Sequence, residues 1–204
     1  MTGLDFNILI PAFVTIAVTI FIAELTDKDA MLLLTLATRI KPWTAFAAGS
    51  TAFTITSAII VSVGYFLIRV VPIFWVRLVG GFVMIGFAIV EYLRRGGDEK
   101  DERKLLSRTL KKSGWSIFLG AVSLLILLDL AGDATEVLTI VYVARFSNVL
   151  LVFLGAVVAL VSASALETIL GRKLGKILSA ARLRILSLIV FLAIGSVIVV
   201  TTLI

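Results

Sequence analysis

The sequence predicts an all-α integral membrane protein whose six transmembrane helices form two inverted repeats of three helices each. Of the 204 residues, 60% are hydrophobic, and the mean hydropathy is +1.15, far above the makeup of soluble domains. Several apolar runs exceed the ~18 residues that a membrane-spanning helix needs. In addition, the two halves of the chain carry matching acidic and glycine positions. Together these observations predict the fold class.

Breaks rich in proline, glycine or charge separate the predicted spans. The spans cover residues 6–38, 43–68, 73–93, 115–144, 148–170 and 183–204. A polar cytoplasmic linker, 94–114, divides the first repeat, 1–93, from the second, 115–204. No Lys or Arg precedes the first apolar run, and no small-residue cleavage site follows it, so the first span is predicted to stay uncleaved.

The Lys and Arg residues predict the orientation of the chain. The breaks after spans one, three and five hold fifteen of them when Arg184, at the start of span six, is included. The breaks after spans two and four hold only Arg69 and Arg145, together with Arg77 at the start of span three. The positive-inside rule then places the odd-numbered loops in the cytoplasm and both termini outside the cell membrane. The net charge of +6 is explained by this topology, so the predicted partner is the lipid bilayer and no nucleic acid is expected.

The first three spans match the last three in register. Placing Asp27 over Asp133 brings Gly49 onto Gly155 without a gap. Because each half has three spans, the second half enters the membrane from the opposite side, as in many secondary transporters. This plan predicts a shared site near the bilayer midplane, between the two repeats.

Six acidic residues lie inside apolar spans, at equivalent places in the two halves. They are Glu24, Asp27 and Asp29 in span one, and Asp129, Asp133 and Glu136 in span four. Most are spaced three or four residues apart and so share one helical face. Asp29 is the exception, because it lies about 200° from Asp27 around an ideal helix. A charge in the bilayer is costly unless something compensates it, so we expect the two clusters to face each other around a cation.

Span one is long for a single straight helix. Residues 6–38 would extend ~50 Å, against a hydrocarbon core of ~30 Å. The sequence therefore predicts a break near Thr26, which would free backbone carbonyls as additional ligands.

The chain contains neither Cys nor His, so any metal site must be built from oxygen. Oxygen ligands with high negative charge suit a hard divalent ion such as Ca²⁺ or Mn²⁺, which is expected as cargo, with no cofactor. When the ion leaves, crowded carboxylates can take up protons, which is the chemistry of a cation/proton exchanger. The alternative is that the acids are structural and held by Lys28, but one Lys cannot neutralise six acids.

The segments "ELTDKD" with "LATR", and "AGDATE" with "YVAR", resemble the paired E-x-G-D-[KR]-[ST] motifs of the Gdt-type family of membrane Ca²⁺/Mn²⁺:H⁺ exchangers. The resemblance covers nearly the whole chain and implies two three-span repeats and divalent cation/proton antiport. It places Glu24, Asp27 and Lys28 in the motif of the first half. It places Gly132, Asp133 and Thr135 in that of the second.

The match to the motif is divergent at four positions. Thr26 stands where the family has Gly, Asp29 where it has Ser or Thr, and Ala134 where it has a base. Leu130 replaces a Glu, with Asp129 one residue earlier as a substitute. We expect Thr26, Lys28 and Thr135 to support the acidic ligands or to gate access to them.

Other classes of function remain open in the sequence. An exporter of a small organic solute on a related fold, or an ion channel, would also use such spans. An enzyme is not expected, since the G-x-G-D signature of intramembrane aspartyl proteases is absent. Glu91 and Glu167 lie near span ends and are expected to pair with Arg or Lys at the interface, with the lining of an ion path as the alternative for either. The sequence is compatible with a homo-oligomer.

Overall fold

The computed structural model describes residues 6–93, 106–107, 109–110, 114–130, 132, 134–177 and 180–204. In that part of the chain there are eight helices of twelve residues or more and no strand. They are α1 (Phe6–Thr26), α2 (Lys28–Arg39), α3 (Pro42–Val70), α4 (Ile73–Leu93), α5 (Trp115–Asp129), α6 (Ala134–Phe146), α7 (Val149–Ile177) and α8 (Ala180–Leu203).

Five of these helices are long and apolar enough to cross a membrane, namely α1, α3, α4, α7 and α8. The pair α5 and α6 passes the same test together but is bent by 66° at its break, and it makes a sixth span if counted as one. The prediction of an all-helical, multi-pass membrane protein is thus confirmed, with five or six candidate spans.

Local chemistry explains where the second span of each half begins. Pro42 opens α3, after Lys41 in an extended conformation, because proline lacks the N–H that the first helical turn leaves without a partner. Before α7, the Asn148 side-chain oxygen accepts a hydrogen bond from the Leu151 backbone N–H at 3.0 Å, which caps that helix. Both long helices therefore start directly after a tight turn.

The core of the bundle is built around α3 and α7. Helix α7 packs against α1, α2 and α3, while α3 also packs against α5 and α6, and α4 packs mainly against α8. Small residues allow the close approaches, as is usual between membrane helices. A Cβ added at Gly49 would lie 2.8 Å from Leu33 Cδ2 and 3.2 Å from Ser164 Oγ, so α2, α3 and α7 meet at this point.

Two further contacts give the directions of the helices. Gly64, in the last third of α3, lies against Val143 at the end of α6, just before the turn into α7. With Gly49 beside Ser164, this makes α3 and α7 antiparallel. Near the start of α7, Gly155 lies against Ile16 of α1. Further along both segments, Leu33 of α2 and Ser164 of α7 meet at Gly49. The α1–α2 span and α7 therefore run in the same direction.

Candidate cation site

The first candidate ligand region is the break in span one. Helix α1 ends at Thr26 and α2 begins at Lys28, so the predicted break is confirmed, with Asp27 as its one non-helical residue. The Asp27 backbone N–H donates to the Glu24 carbonyl at 3.0 Å, and the Thr26 hydroxyl donates to the Ala23 carbonyl at 2.8 Å. The Ser187 hydroxyl of α8 donates to the Thr26 carbonyl. The break is therefore held from its own chain and from α8.

The acidic residues of this break face the protein interior. Glu24 is 0% exposed and Asp27 is 4% exposed, and Thr26 is buried with them. A carboxylate facing the lipid would have no compensation in the hydrocarbon region. The burial of both side chains is what a ligand role requires.

The second candidate region is the break between α5 and α6. Helix α5 ends at Asp129 and α6 starts at Ala134. Between them, Gly132 has a φ of 101°, and its N–H donates to the Asp129 carbonyl at 3.4 Å. Since a side chain is strained at such a positive φ, glycine permits this turn and the 66° change of axis that accompanies it.

Around the second break, Asp129 and Thr135 are buried at 3% exposure each. Glu136 is partly buried and lies in the first turn of α6. The Thr139 hydroxyl donates to the Thr135 carbonyl at 2.8 Å, one turn further along the helix. As in the first half, the acids are turned away from the lipid.

The broken helices also set the local field. At each break, the C-terminal end of one half-helix lies next to the N-terminal end of the next. The partial negative charge of the carbonyls at the C-terminal end attracts a cation, whereas the N–H groups at the N-terminal end stabilise carboxylates such as that of Glu136. Each break can therefore hold both a cation and the acids that bind it.

The structure describes the side chains of four of the six predicted ligands, Glu24, Asp27, Asp129 and Glu136. Asp133 and the side chains of Lys28 and Asp29 lie outside the described residues. Among the described residues, no three acidic side chains lie close enough together to hold one metal ion. A cage shared by spans one and four accordingly stays a prediction.

Glu167 of α7 does not fit its predicted interfacial pairing. The side chain is 1% exposed, and neither carboxylate oxygen has a hydrogen bond to any described residue. The prediction was wrong because it took the nearby end of the apolar run as the membrane interface. Helix α7 in fact continues beyond that point, to Ile177. The signal in the sequence is "SALET", where Ser164, Glu167 and Thr168 share one helical face.

A separate cavity of about 250 Å³ lies between α1, α4, α6 and α8. Its walls include Arg77 and Arg145 and the hydroxyl-bearing residues Thr19 and Tyr142. Two guanidinium groups repel a divalent cation, and the buried acids described above are not among the lining residues. This cavity is therefore not the candidate cation site.

The chain was compared with known proteins. The family model described as "Divalent cation/proton antiporter GDT1" matches residues 12–99 and 111–203, which is nearly the whole chain. A search of curated proteins and a search of solved structures each gave no match.

Proposed function

The chain belongs to the GDT1 family of divalent cation/proton antiporters, and from this premise we propose which ion it carries and where that ion binds. It is a secondary transporter of divalent cations. We propose that the ion is Ca²⁺ or Mn²⁺ and that it binds near the midplane, between the breaks of spans one and four. The observation that carries this proposal is the burial of Glu24, Asp27 and Asp129 at the two helix breaks.

The chemistry of the side chains supports a hard cation. Because the chain has no Cys and no His, oxygen atoms are the ligands that it can offer. Carboxylates and backbone carbonyls suit Ca²⁺, and carboxylate oxygens also suit Mn²⁺. The proposed ligands are Glu24, Asp27, Asp29, Asp129, Asp133 and Glu136, supported by Thr26, Lys28 and Thr135.

The order of the helices supports the proposed inverted repeats. A broken span followed by a 29-residue helix and a further long helix occurs twice, as α1–α4 and as α5–α8. The first helix pair of each half ends at opposite ends of the bundle, as the contacts of Gly49 and Gly64 indicate. We propose six spans, with the repeats at 1–93 and 115–204 joined by the linker 94–114.

The same plan gives the proposed setting in the cell. We place the transporter in the cell membrane with both termini outside and the linker in the cytoplasm, on the distribution of Lys and Arg. No catalytic role is assigned to the chain, and a homo-oligomer is compatible with it.

Exchange follows from the electrostatics of the two breaks. When the divalent ion is bound, its charge offsets that of the carboxylates around it. When it leaves, repulsion between neighbouring carboxylates in a medium of low dielectric favours uptake of protons by some of them. Cation and proton then occupy the same groups in alternation, which couples their opposite movements.

Uptake into proteoliposomes with an imposed pH gradient tests the proposal. We expect Ca²⁺ or Mn²⁺ to accumulate against its own gradient and to dissipate the pH gradient as it moves. Mg²⁺ and Na⁺ serve as comparison ions in the same vesicles. Flux of Na⁺ alone, or divalent flux that neither saturates nor moves protons, would refute the assignment and favour a channel.

A further inference from the structure

Glu167 is a buried acidic residue of α7 that lies outside the two acidic clusters. An acid inside a membrane helix ordinarily pairs with another polar group or faces a water-filled cavity. Glu167 instead is 1% exposed, and both of its oxygens lack a hydrogen bond to the described residues. A buried carboxylate without compensation is strongly unfavourable. In the interior such a group is stabilised by a proton or by a bound cation.

The depth of Glu167 follows from the contact between α1 and α7. An added Cβ on Gly155 would stand 2.7 Å from Ile16 Cγ2, so these two residues lie side by side. From that contact, α7 continues for twelve residues to Glu167, and span one for eleven residues to Asp27. At about 1.5 Å per residue, the contact of Gly155 with Ile16 places Glu167 near the depth of Asp27. The meeting of Ser164 and Leu33 at Gly49 places it near the depth of Leu36, so Glu167 lies alongside the stretch from the first break into α2.

The surroundings of Glu167 include α2, the helix that follows the first break. One turn earlier on the same face, Ser164 lies where α2, α3 and α7 meet, beside Gly49 and Leu33. The Ser164 hydroxyl, like the carboxylate, is buried without a hydrogen-bond partner among the described residues. The neighbouring Thr168 hydroxyl is not available to the carboxylate as a donor, because it donates to the Ser164 carbonyl at 2.7 Å.

We propose that Glu167 binds the transported cation, as an acidic ligand supplied by α7 from outside the two acidic clusters. The inference rests on the proposed function, since it adds a ligand to that cation path. Carboxylate oxygens are preferred ligands of hard divalent ions. A cation beside Glu167 supplies the compensating charge that the protein itself does not.

The other half of the chain offers no equivalent acid. In the register that places Asp27 over Asp133, Glu167 falls on Val61 of α3. If one residue is inserted so that Gly64 lies over Gly171, it falls on Ile60. Val61 is buried. The cation path is therefore asymmetric, with the additional carboxylate on the α7 side alone.

The test is an ion titration of purified protein in detergent, read as the rise in unfolding temperature with Ca²⁺ or Mn²⁺. Glu167→Gln keeps the size of the side chain and removes its charge. We expect at least a tenfold higher midpoint concentration of ion in this variant, since even groups outside the ligand shell affect metal affinity by about 10–100-fold. Without ion, the variant should be as stable as the wild type or more stable, which a purely structural carboxylate would not allow.

Thr168→Val is the matched control, because it alters the next residue of α7 without touching a carboxylate, and its ion midpoint should equal that of the wild type. Glu167→Asp retains the charge on a shorter side chain and should bind ion better than Glu167→Gln. This comparison remains decisive if the glutamine variant does not fold, because Glu167→Asp should still shift the midpoint while Thr168→Val does not.

Two outcomes separate this inference from the proposed function. If the wild type gains no stability with either ion, the proposed binding of Ca²⁺ or Mn²⁺ fails. If the wild type gains stability and Glu167→Gln responds at the same ion concentration, the proposed function stands and Glu167 is not a ligand. Where Glu167→Gln does not fold, a wild-type response from Glu167→Asp leads to the same conclusion.

Discussion

At the first break a single residue, Asp27, separates α1 from α2, whereas at the second break α5 ends at Asp129 and α6 begins at Ala134. The first is held by hydroxyl groups, through Thr26 to the Ala23 carbonyl and through Ser187 to the Thr26 carbonyl. The second turns through Gly132 at a φ of 101°. Two copies of one motif therefore reach a broken helix by different local chemistry.

This difference explains how the first motif tolerates a residue that departs from the family pattern. Thr26 stands where the resembling family has Gly. Among the described residues, positive φ occurs only at Ser147, Gly114 and Gly132, so the first break places no such demand on its backbone. A residue with a side chain fits there, and its hydroxyl adds a hydrogen bond that glycine could not make.

The largest expected effect comes from removing one charge at each break. Asp27→Asn and Asp129→Asn should each abolish transport and weaken ion binding by at least about tenfold, because a lost ligand in the membrane interior is not replaced by bulk water. If the two breaks act as one site, the double variant should be no worse than either single variant. Proteoliposome flux and the ion-dependent rise in unfolding temperature measure both.

The hypothesis that the two breaks act as one site is wrong if the Asp27→Asn and Asp129→Asn variants behave differently. An Asp129→Asn protein that responds to ion like the wild type, beside an Asp27→Asn protein that does not, would assign binding to the first break alone. Asp133→Asn tests the same point at the position that the motif itself predicts. Without ion, all of these amide variants should keep or gain stability, because they relieve repulsion between carboxylates.

The sequence predicted much of this architecture because membrane burial leaves plain signals. Apolar runs predicted the helices, and the excess length of span one predicted its break near Thr26. The contacts of Glu167 could not be predicted in the same way. Its position near the end of an apolar run suggested the interface, and only the packing of α7 against α1, α2 and α3 shows that it is buried.

The bend at the second break and the hydrogen bond from Ser187 were harder still to predict from the sequence. The 66° bend at the second break includes Gly132 at a positive φ, and a glycine in a motif does not by itself reveal which region of φ it occupies. The bond from Ser187 joins residues 161 positions apart. Nothing in the local pattern around "LRILSLIVF" distinguishes that serine from others that bond within their own helix.

Gly132→Ala should have the next largest effect, and it acts on stability. An alanine at a φ of 101° is strained by about 1–3 kcal/mol, although nothing lies within 4 Å of the added Cβ. Thr26→Ala at the first break should cost less, since it removes one hydroxyl bond and no backbone strain is added. Thermal unfolding in detergent compares them.

Gly86→Ala is the matched glycine control, because Gly86 lies inside α4 with nothing within 4 Å of an added Cβ. This change should be neutral or stabilising by up to about 1 kcal/mol, through helix propensity. Equal losses from Gly132→Ala and Thr26→Ala would contradict the argument that only the second break depends on glycine.

Ser187→Ala should have a smaller effect, confined to the first break. It removes the hydroxyl that bonds to the Thr26 carbonyl, and such bonds between membrane helices contribute on the order of 1 kcal/mol. Ser123→Ala is the control, because its exposed hydroxyl donates only within its own helix, to the Leu119 carbonyl. If Ser123→Ala loses as much stability as Ser187→Ala, the hydrogen bond from α8 does not specifically stabilise the first break.

The smallest expected effect tests whether the two broken spans are joined away from the breaks. The Thr19 hydroxyl of α1 lies 2.6 Å from the Tyr142 hydroxyl of α6. Because the single Thr19 proton is directed to the Thr15 carbonyl at 2.6 Å, Tyr142 is the donor across the interface. Tyr142→Phe keeps the ring and should cost about 0.6 kcal/mol, with ion affinity unchanged. Tyr92→Phe, at an exposed position of α4, is the control, and an ion midpoint that shifts in Tyr142→Phe but not in Tyr92→Phe would show that this bond couples the spans to the site.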